Sequence, residues 1–320
     1  MSAPSIPDLI ARVDCCRMKG QLFYLCRDPL PCRMADYTLP GHRKCTLDEA
    51  DDYIEAQLVS LGFRVEKESV QVQAFRRDES KPKAQQFAPP LPEDPWHTVW
   101  NVHATKTGVT YPDEIIVIVA HKDSQSWLVT PGAGDNGAGV VGALEVARVL
   151  SAVPCARSLQ WLFCNEEFSR PVTSLAFAAQ AKQRGNKLVA VLNLDGIGGK
   201  SRSDRDAGRK TQVTVYTRPE GERLARFIGG VNDRCSIGLA HRIAQKPGPE
   251  DDDGAFVSAG YPASVMMIGS WPYADPNYHR ETDAPEAVDI ENVVMTTRLA
   301  LASVRLLAES RLIGWEDELP

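Results

Sequence analysis

Histidine and carboxylate side chains follow several apolar segments of this 320-residue chain. The apolar run EIIVIVA at residues 114–120 is typical of a buried parallel strand and is followed directly by His121, Lys122 and Asp123. Further acids and a histidine lie in a glycine-rich loop and after later segments: Asp135, Glu166, Glu167, Asp195 and His279. Because the carboxyl ends of parallel strands meet at one edge of an open sheet, we expect these groups to converge in space.

This set of side chains has the chemistry of a metal centre. So many carboxylates cannot all stay ionised in one pocket without cations, because like charges at close range repel each other. Histidine nitrogen and carboxylate oxygen ligands suit zinc, with manganese or cobalt as alternatives. One carboxylate shared between two ions would give a two-metal hydrolytic centre. The glycines around Asp135 lack both the lysine of a phosphate-binding loop and the spacing of a dinucleotide-binding loop.

Alternating strands and helices must position these groups. We predict an α/β fold, a mixed and mainly parallel central sheet with helices on both faces. The predicted strands are residues 63–75, 99–105, 114–120, 158–164, 188–194, 211–217, 238–244 and 263–268. The predicted helices are residues 8–13, 46–61, 140–150, 172–184, 220–232 and 288–310. Thr46 and Glu49 have the spacing of a capping box, which predicts that Thr46 caps the helix at 46–61.

Composition excludes some classes of function. A net charge of −6 argues against a nucleic-acid partner bound by a basic face. No apolar run reaches the length of a membrane-spanning helix, so we expect no membrane partner. The first residues lack the apolar core of a secretory signal, and we expect a cytoplasmic protein. Five of the eight cysteines lie in residues 1–45 without paired C-x-x-C spacing, so we interpret them as reduced thiols rather than a structural zinc site.

The motifs AHKDS, PGAGDNGAG, NEE, LNLDG and YHRETD, in this order and spacing, resemble those of the zinc aminopeptidases related to bacterial leucyl aminopeptidases, family M28 of the peptidases. The resemblance covers about residues 46–310. It implies the zinc exopeptidase fold, which glutamate carboxypeptidases, glutaminyl cyclases and the transferrin receptor ectodomain share. We therefore predict an N-terminal extension at 1–45 packed on one catalytic domain at 46–320, with a proline-rich excursion at 76–95 for which we predict no structure.

The resemblance also implies a role for each motif residue. His121 and Asp195 would bind one zinc ion, Glu167 and His279 a second, and Asp135 would bridge the two.

Other motif positions would act beside the metals. Glu166 would be the general base, Asp123 would hydrogen-bond the ring of His121, and Tyr278 matches a tyrosine that stabilises the oxyanion in some relatives. The peptide bond between Asp135 and Asn136 would be cis.

The activity implied is that of a metal-dependent exopeptidase, an aminopeptidase that hydrolyses N-terminal residues from peptides through a two-zinc-activated water. Three alternatives stay open: an acyltransferase of the glutaminyl cyclase type, a carboxypeptidase, and a non-catalytic protein that keeps only the fold. A carboxypeptidase would need a basic subsite, for which the sequence offers Arg202, Arg205, Arg209 and Arg280. The oligomeric state is not predicted.

Two departures from the family pattern affect the substrate pocket rather than the metal ligands. Many members have histidine at the position of Asp253, and an oxyanion-stabilising tyrosine of the secreted aminopeptidases falls near Gly248. We interpret Asp251, Asp252 and Asp253 as turn acids and Lys122 as a solvated rim residue.

Overall fold

The computed structural model describes residues 4–309, and an eight-stranded sheet forms their centre. Its strands in chain order are β1 (Val65–Gln73), β4 (Trp96–Lys106), β5 (Tyr111–His121), β6 (Arg157–Cys164), β7 (Lys187–Leu194), β8 (Thr211–Tyr216), β9 (Ala240–Gln245) and β10 (Ser264–Ile268). A separate two-stranded sheet pairs β2 (Arg76–Arg77) with β3 (Phe87–Ala88).

The spatial order of the large sheet is β1-β4-β6-β5-β7-β10-β8-β9. The four central strands, β6, β5, β7 and β10, are parallel to one another, and β8 is parallel to β9, whereas the pairs β1–β4, β4–β6 and β10–β8 are antiparallel. The mixed, mainly parallel sheet predicted from the sequence is therefore confirmed, and each predicted strand is present.

The helices are α1 (Ile6–Ala11), α2 (Cys15–Cys26), α3 (Thr46–Ser60), α4 (Ala138–Leu150), α5 (Val172–Gln183), α6 (Arg202–Asp206), α7 (Pro219–Arg234), α8 (Asp251–Ser258) and α9 (Ile290–Glu309). The predicted last residue of the final helix, Ser310, lies outside the described residues. None of the helices within residues 4–309 has the length and apolar character needed to cross a membrane.

Strand β5 explains why the sheet is covered on both faces. Ile116, Ile118 and Ala120 belong to the core under α4 and α9, and Val117 and Val119 belong to the core under α5 and α8. Successive strand residues point to opposite faces, so a strand buried on both faces has an uninterrupted apolar sequence. Its last residue, His121, is thereby fixed at the carboxyl edge.

The N-terminal segment is more regular than predicted. Helix α2 was missed, although Met18, Leu22 and Leu25 are buried at helical spacing and Asp14 caps the helix by accepting from the amide of Arg17. This helix packs against α4 and α9. The division into an extension and one catalytic domain stays a prediction.

Two local predictions were wrong. Cys45, not Thr46, caps α3: its sulfur accepts from the amide of Asp48, and the hydroxyl of Thr46 instead accepts from the amide of Met34. The excursion at 76–95 contains β2, β3 and a short 3-10 turn at Lys83–Gln85. In addition, the charged stretch after residue 201 contains the short helix α6.

Candidate metal centre

The carboxyl ends of three adjacent parallel strands form the floor of the site. His121 is the last residue of β5, Glu166 and Glu167 follow β6, and Asp195 follows β7. Because β6, β5 and β7 are neighbours in the sheet, these residues lie side by side although they are far apart in sequence.

A first cluster consists of His121, Asp135 and Asp195. The His121 Nε2 atom lies 3.1 Å from Asp135 Oδ1 and 3.5 Å from Asp195 Oδ1. All three residues are buried.

A second cluster consists of Asp135, Glu167 and His279. The His279 Nε2 atom lies 3.2 Å from Asp135 Oδ2 and 3.0 Å from Glu167 Oε2. Asp135 thus belongs to both clusters and turns one carboxylate oxygen towards each. A bridging ligand between two cations needs this arrangement.

The two clusters fit metal ions by the chemistry of their donors. The Nε2 atoms of His121 and His279 are buried and make no hydrogen bond to any described residue, although carboxylate oxygens surround them. Imidazole nitrogen with carboxylate oxygen is a donor set that suits zinc. Each cluster supplies three protein ligands, which leaves room for water or substrate at a bound ion.

The charges of the clusters are strongly coupled. Burial disfavours the carboxylate form of Asp135, but the rings of His121 and His279 outweigh it and lower its pKa. Burial raises the pKa of Asp195 to about 6, partly offset by His121. Burial, with the nearby carboxylates of Asp252 and Asp251, raises the pKa of Glu166 well above its ordinary value.

Asp123 orients the first cluster through hydrogen bonds to its ring and backbone groups. Its Oδ1 atom lies 3.3 Å from His121 Nδ1, and its two oxygens accept the amide hydrogens of Glu166 (3.0 Å) and Phe168 (2.6 Å). One carboxylate therefore fixes both the ring of His121 and the backbone that carries Glu166 and Glu167. Such partners set the tautomer and orientation of metal-binding histidines.

The ring of His279 is held by the excursion that the sequence left without structure. Its Nδ1 atom lies 2.9 Å from the carbonyl oxygen of Ala84, and the rings of Phe87 and Trp127 meet it edge-on. This contact could not be predicted, because a backbone carbonyl 195 residues away leaves no residue-type signal.

The loop carrying Asp135 is held by close backbone contacts. Asp283 accepts from the amides of Gly134 (2.7 Å) and Asp135 (3.0 Å), and a Cβ atom on Gly134 would lie 2.9 Å from Asp283 Oδ1. The Asp135–Asn136 peptide bond is cis, as the resemblance implies. The Asn136 side chain bonds the carbonyl oxygen of Leu194, next to Asp195.

Gln125 contacts the candidate metal ligands, and this was not predicted from the sequence. Its side chain is buried, and its Nε2 atom donates to Asp135 Oδ2 (3.1 Å) and Glu167 Oε2 (3.2 Å). Its position four residues after His121 in the loop before Asp135 was the only available signal.

A pocket that is open to solvent adjoins the clusters. Apart from Asp135 and Asp195 it is lined by Gly134, Gly196, Gly199, Ile268, Ser270, Tyr273, Asp275, Tyr278 and Asp283. The ring of Tyr278 stacks on His279 with centroids 3.8 Å apart, and Tyr273 stacks on Tyr278. Tyr278 thus lies at the predicted site.

The arginines considered for a basic subsite do not line this pocket within the described residues. Arg205 pairs with Asp275 at 2.6 Å, and Arg209 pairs with Asp204 at 2.8 Å. Arg280 is exposed.

Two interpretations of charged residues were wrong. Lys122 is fully buried, 2.8 Å from Asp51 and 2.7 Å from Asn165, rather than solvated. Residues Asp251–Asp253 form the first turn of α8 rather than a turn between elements, and Asp253 is buried against Lys246 at 2.8 Å. Acids favour a helix N-terminus because its free amides carry positive partial charge.

Comparison with known proteins identifies the family of this chain. Residues 101–304 match the model of Peptidase family M28. Leucine aminopeptidase 1 of Ajellomyces capsulatus is 28% identical over 231 residues, which span 68% of this chain and 58% of that protein. Leucine aminopeptidase 1 of Fusarium vanettenii is 28% identical over 224 residues, 65% of this chain and 55% of that protein. The chain therefore matches little more than half the length of these relatives.

Solved structures share the fold at low sequence identity. An aminopeptidase from Aneurinibacillus sp. strain AM-1 superposes with a TM-score of 0.74 at 17% identity, over 95% of this chain and 96% of that one. A glutaminyl cyclase of Porphyromonas gingivalis superposes with a TM-score of 0.69 at 14% identity, over 92% and 98% of the two chains.

Proposed function

Because this chain belongs to peptidase family M28, we propose that it is an aminopeptidase that binds two zinc ions and removes single residues from the N-termini of peptides. The observation that carries the proposal is the shared carboxylate of Asp135, with Oδ1 near His121 and Oδ2 near His279. His121, Asp135 and Asp195 would hold one ion, and Asp135, Glu167 and His279 the other.

A pair of zinc ions at these positions would lower the pKa of a water molecule, so that an activated nucleophile exists near neutral pH. Glu166 would accept the proton of this water and pass it to the leaving amine. The buried Oε2 atom of Glu166 has no hydrogen-bond partner among the described residues, which leaves it available for that transfer. Asp123 fixes the backbone amide of Glu166 and so holds the base beside the ligands.

The pocket beside the clusters would receive the N-terminal residue of the substrate. Tyr273, Tyr278 and Ile268 give it apolar walls, and the carboxylate of Asp275 is already paired with Arg205. These features, with relatives named leucine aminopeptidase, support an uncharged apolar side chain as the preferred substrate. The hydroxyl of Tyr278 would donate to the oxyanion that develops on the scissile carbonyl.

The test joins metal analysis to product analysis. Chelator-treated protein is reconstituted with zinc, bound metal is counted, and the protein is given matched peptides with free or acetylated N-termini. Two ions per chain and cleavage only of the free peptides support the proposal. Cleavage of acetylated peptides from the other end would replace it with a carboxypeptidase, and one ion with cyclised N-terminal products would replace it with a cyclase. Absence of bound metal would reject a catalytic role.

A further inference from the structure

Arg33 is a fully buried cation in the N-terminal segment, outside the family match. The groups that accept hydrogen bonds from its guanidinium in the described structure are backbone carbonyls and one thiol, and none is a carboxylate. Taking a charge out of water is costly, and a buried arginine is normally matched by an acid. The cost of burying Arg33 without an acid raises the question of what role its side chain has.

The guanidinium joins the two ends of the single connection between β5 and α4: the loop directly after His121 and the loop that leads to Asp135. Its Nε atom donates to the carbonyl oxygen of Lys122 (2.5 Å), next to His121. Its Nη1 and Nη2 atoms donate to the carbonyl oxygens of Pro131 (2.6 Å) and Gly132 (2.7 Å), at the start of the loop that leads to Asp135. The side chain spans the gap between the loop after β5 and the loop before α4.

The backbone of Arg33 strengthens the same connection. Its amide donates to the hydroxyl of Ser124 (3.0 Å), and the amide of Ser124 donates to the carbonyl oxygen of Arg33 (2.9 Å). Nη1 also donates to the carbonyl oxygen of Leu25 (2.9 Å), so the guanidinium ties the end of α2 to both loops.

Two glycines in the loop make this approach possible. A Cβ atom on Gly132, whose φ is +55°, would lie 3.1 Å from Arg33 Nη2, and one on Gly137 would lie 2.5 Å from the sulfur of Cys26. Burial raises the pKa of the Cys26 thiol to about 11, so this neighbour of Arg33 stays uncharged at neutral pH. The charge of Arg33 is thus balanced by carbonyl dipoles of the two loops.

We propose that Arg33 is a positioning residue for the metal centre, fixing the loops of His121 and Asp135 relative to each other before an ion binds. This inference rests on the proposed metal centre but not on the identity of the substrate. The planar fork of arginine serves several acceptors at once, whereas the ammonium of lysine is a point donor. A lysine at position 33 would keep the positive charge but lose the simultaneous hydrogen bonds to both loops.

The test measures zinc binding to full-length, metal-free protein by calorimetric titration, with a chelator as competitor. Arg33→Lys should bind zinc about 10- to 100-fold more weakly, the range typical for loss of a group that orients metal ligands. Arg305→Lys is the matched control. Arg305 is also buried and also donates to a carbonyl oxygen (Pro154) and a cysteine sulfur (Cys155), but it pairs in addition with the carboxylate of Glu309 and lies beyond the far end of α4, about 20 Å along the helix.

A purely structural role for Arg33 predicts a different result. The melting temperature of Arg33→Lys would then fall equally with and without zinc, and its zinc affinity would match that of the wild type; this outcome overturns the proposal. If the proposal holds, the rise in melting temperature on adding zinc shrinks in Arg33→Lys and persists in Arg305→Lys.

A second measurement needs no variant and guards against loss of folding. Hydrogen exchange of the wild type is followed with and without zinc. Slower exchange in residues 22–34 together with the connection at 122–137 supports the coupling, and protection of that connection alone overturns it. Wild-type protein that binds zinc but cleaves no peptide would remove the proposed activity and leave this inference standing, whereas failure to bind zinc would remove both.

Discussion

The two clusters share Asp135 but are held in place by different means. In the first cluster, His121 ends β5 and Asp195 follows β7, its neighbour in the sheet. The ring of His121 is oriented by Asp123, only two residues away. In the second cluster, Glu167 and His279 both lie in connecting segments, and the orienting group for His279 is a carbonyl of the excursion.

This difference has an energetic consequence. Strand ends are placed by the hydrogen bonds of the sheet, which resist local opening, whereas loops open at lower free-energy cost. His279 also has a φ of +54°, a conformation that costs energy in a residue with a Cβ atom and persists only where its surroundings impose it. We therefore expect the second cluster to be the weaker metal position.

The largest effect is expected where the clusters meet. Asp135→Ala removes the ligand common to both, so both ions should be lost and activity should fall below detection. The measurement is metal stoichiometry after gel filtration, with Asp113→Ala, an exposed acid at the start of β5, as the control. Two tightly held ions in Asp135→Ala would rule out the bridge.

A second substitution distinguishes metal binding from catalysis. Glu166→Gln keeps the shape of the side chain but cannot accept a proton, so kcat should fall about 10²- to 10⁴-fold. Both clusters keep their ligands, so metal content should not change. Loss of metal together with activity would instead assign Glu166 to the ligands, and near-normal turnover would remove it as the base.

The excursion offers a direct test of the comparison. Phe87→Ala removes a ring packed against His279 and Trp127, and should weaken the second metal position about tenfold while leaving the first unchanged. Two-step zinc titration distinguishes the positions. Leu91→Ala, an exposed residue of the same excursion, is the matched control. Equal weakening of both positions by Phe87→Ala would contradict the independence of the two clusters.

The smallest effect is expected behind the first cluster, at Asp289. Burial alone would raise its pKa, but hydrogen bonds from Lys200 and Lys210 outweigh burial and lower the pKa to about 2. Water screens this partly exposed carboxylate, so the ionised form stabilises the fold by on the order of 1 kcal/mol above pH 4, and this contribution is lost as the pH falls from about 4 to 2.

Asp289→Asn should accordingly lower the free energy of unfolding at pH 7, with little difference from the wild type near pH 2. Urea unfolding of metal-free protein at several pH values measures this. Zinc binding should be unchanged, because the ion pair of Lys200 and Asp289 supports the loop after Asp195 without fixing a ligand ring. A loss of zinc affinity would show that the first cluster also depends on its loops.

The order of the elements could be predicted because each carries its own local signal. The run at 115–120 is apolar without interruption, since this part of β5 is buried on both faces, and Gly62, with a φ of +86°, ends α3 where a left-handed residue is needed. The positions of the acids after the strands follow from the same signals. The convergence of the candidate ligands was therefore predictable before any distance was known.

Burial of charge could not be predicted in this way. Lys122 lies among ligand motifs and was interpreted as solvated, yet Asp51 of α3 and Asn165 after β6 enclose it. Asp253 is buried because Lys246, seven residues earlier, turns back to meet it. The sequence does not show whether a charged side chain is surrounded by water or by an opposite charge. Only the packing of elements distant in sequence decides between these two environments.

The sequence by itself determined the strand ends, the residue types at the site and the metal chemistry that they favour. The tertiary structure alone decided what holds the site in position: the guanidinium of Arg33 across two loops and the carbonyl of Ala84 on His279. Both contacts use backbone atoms as partners. Every residue has those atoms, so no sequence pattern marks them, and only the folded arrangement selects which of them meet.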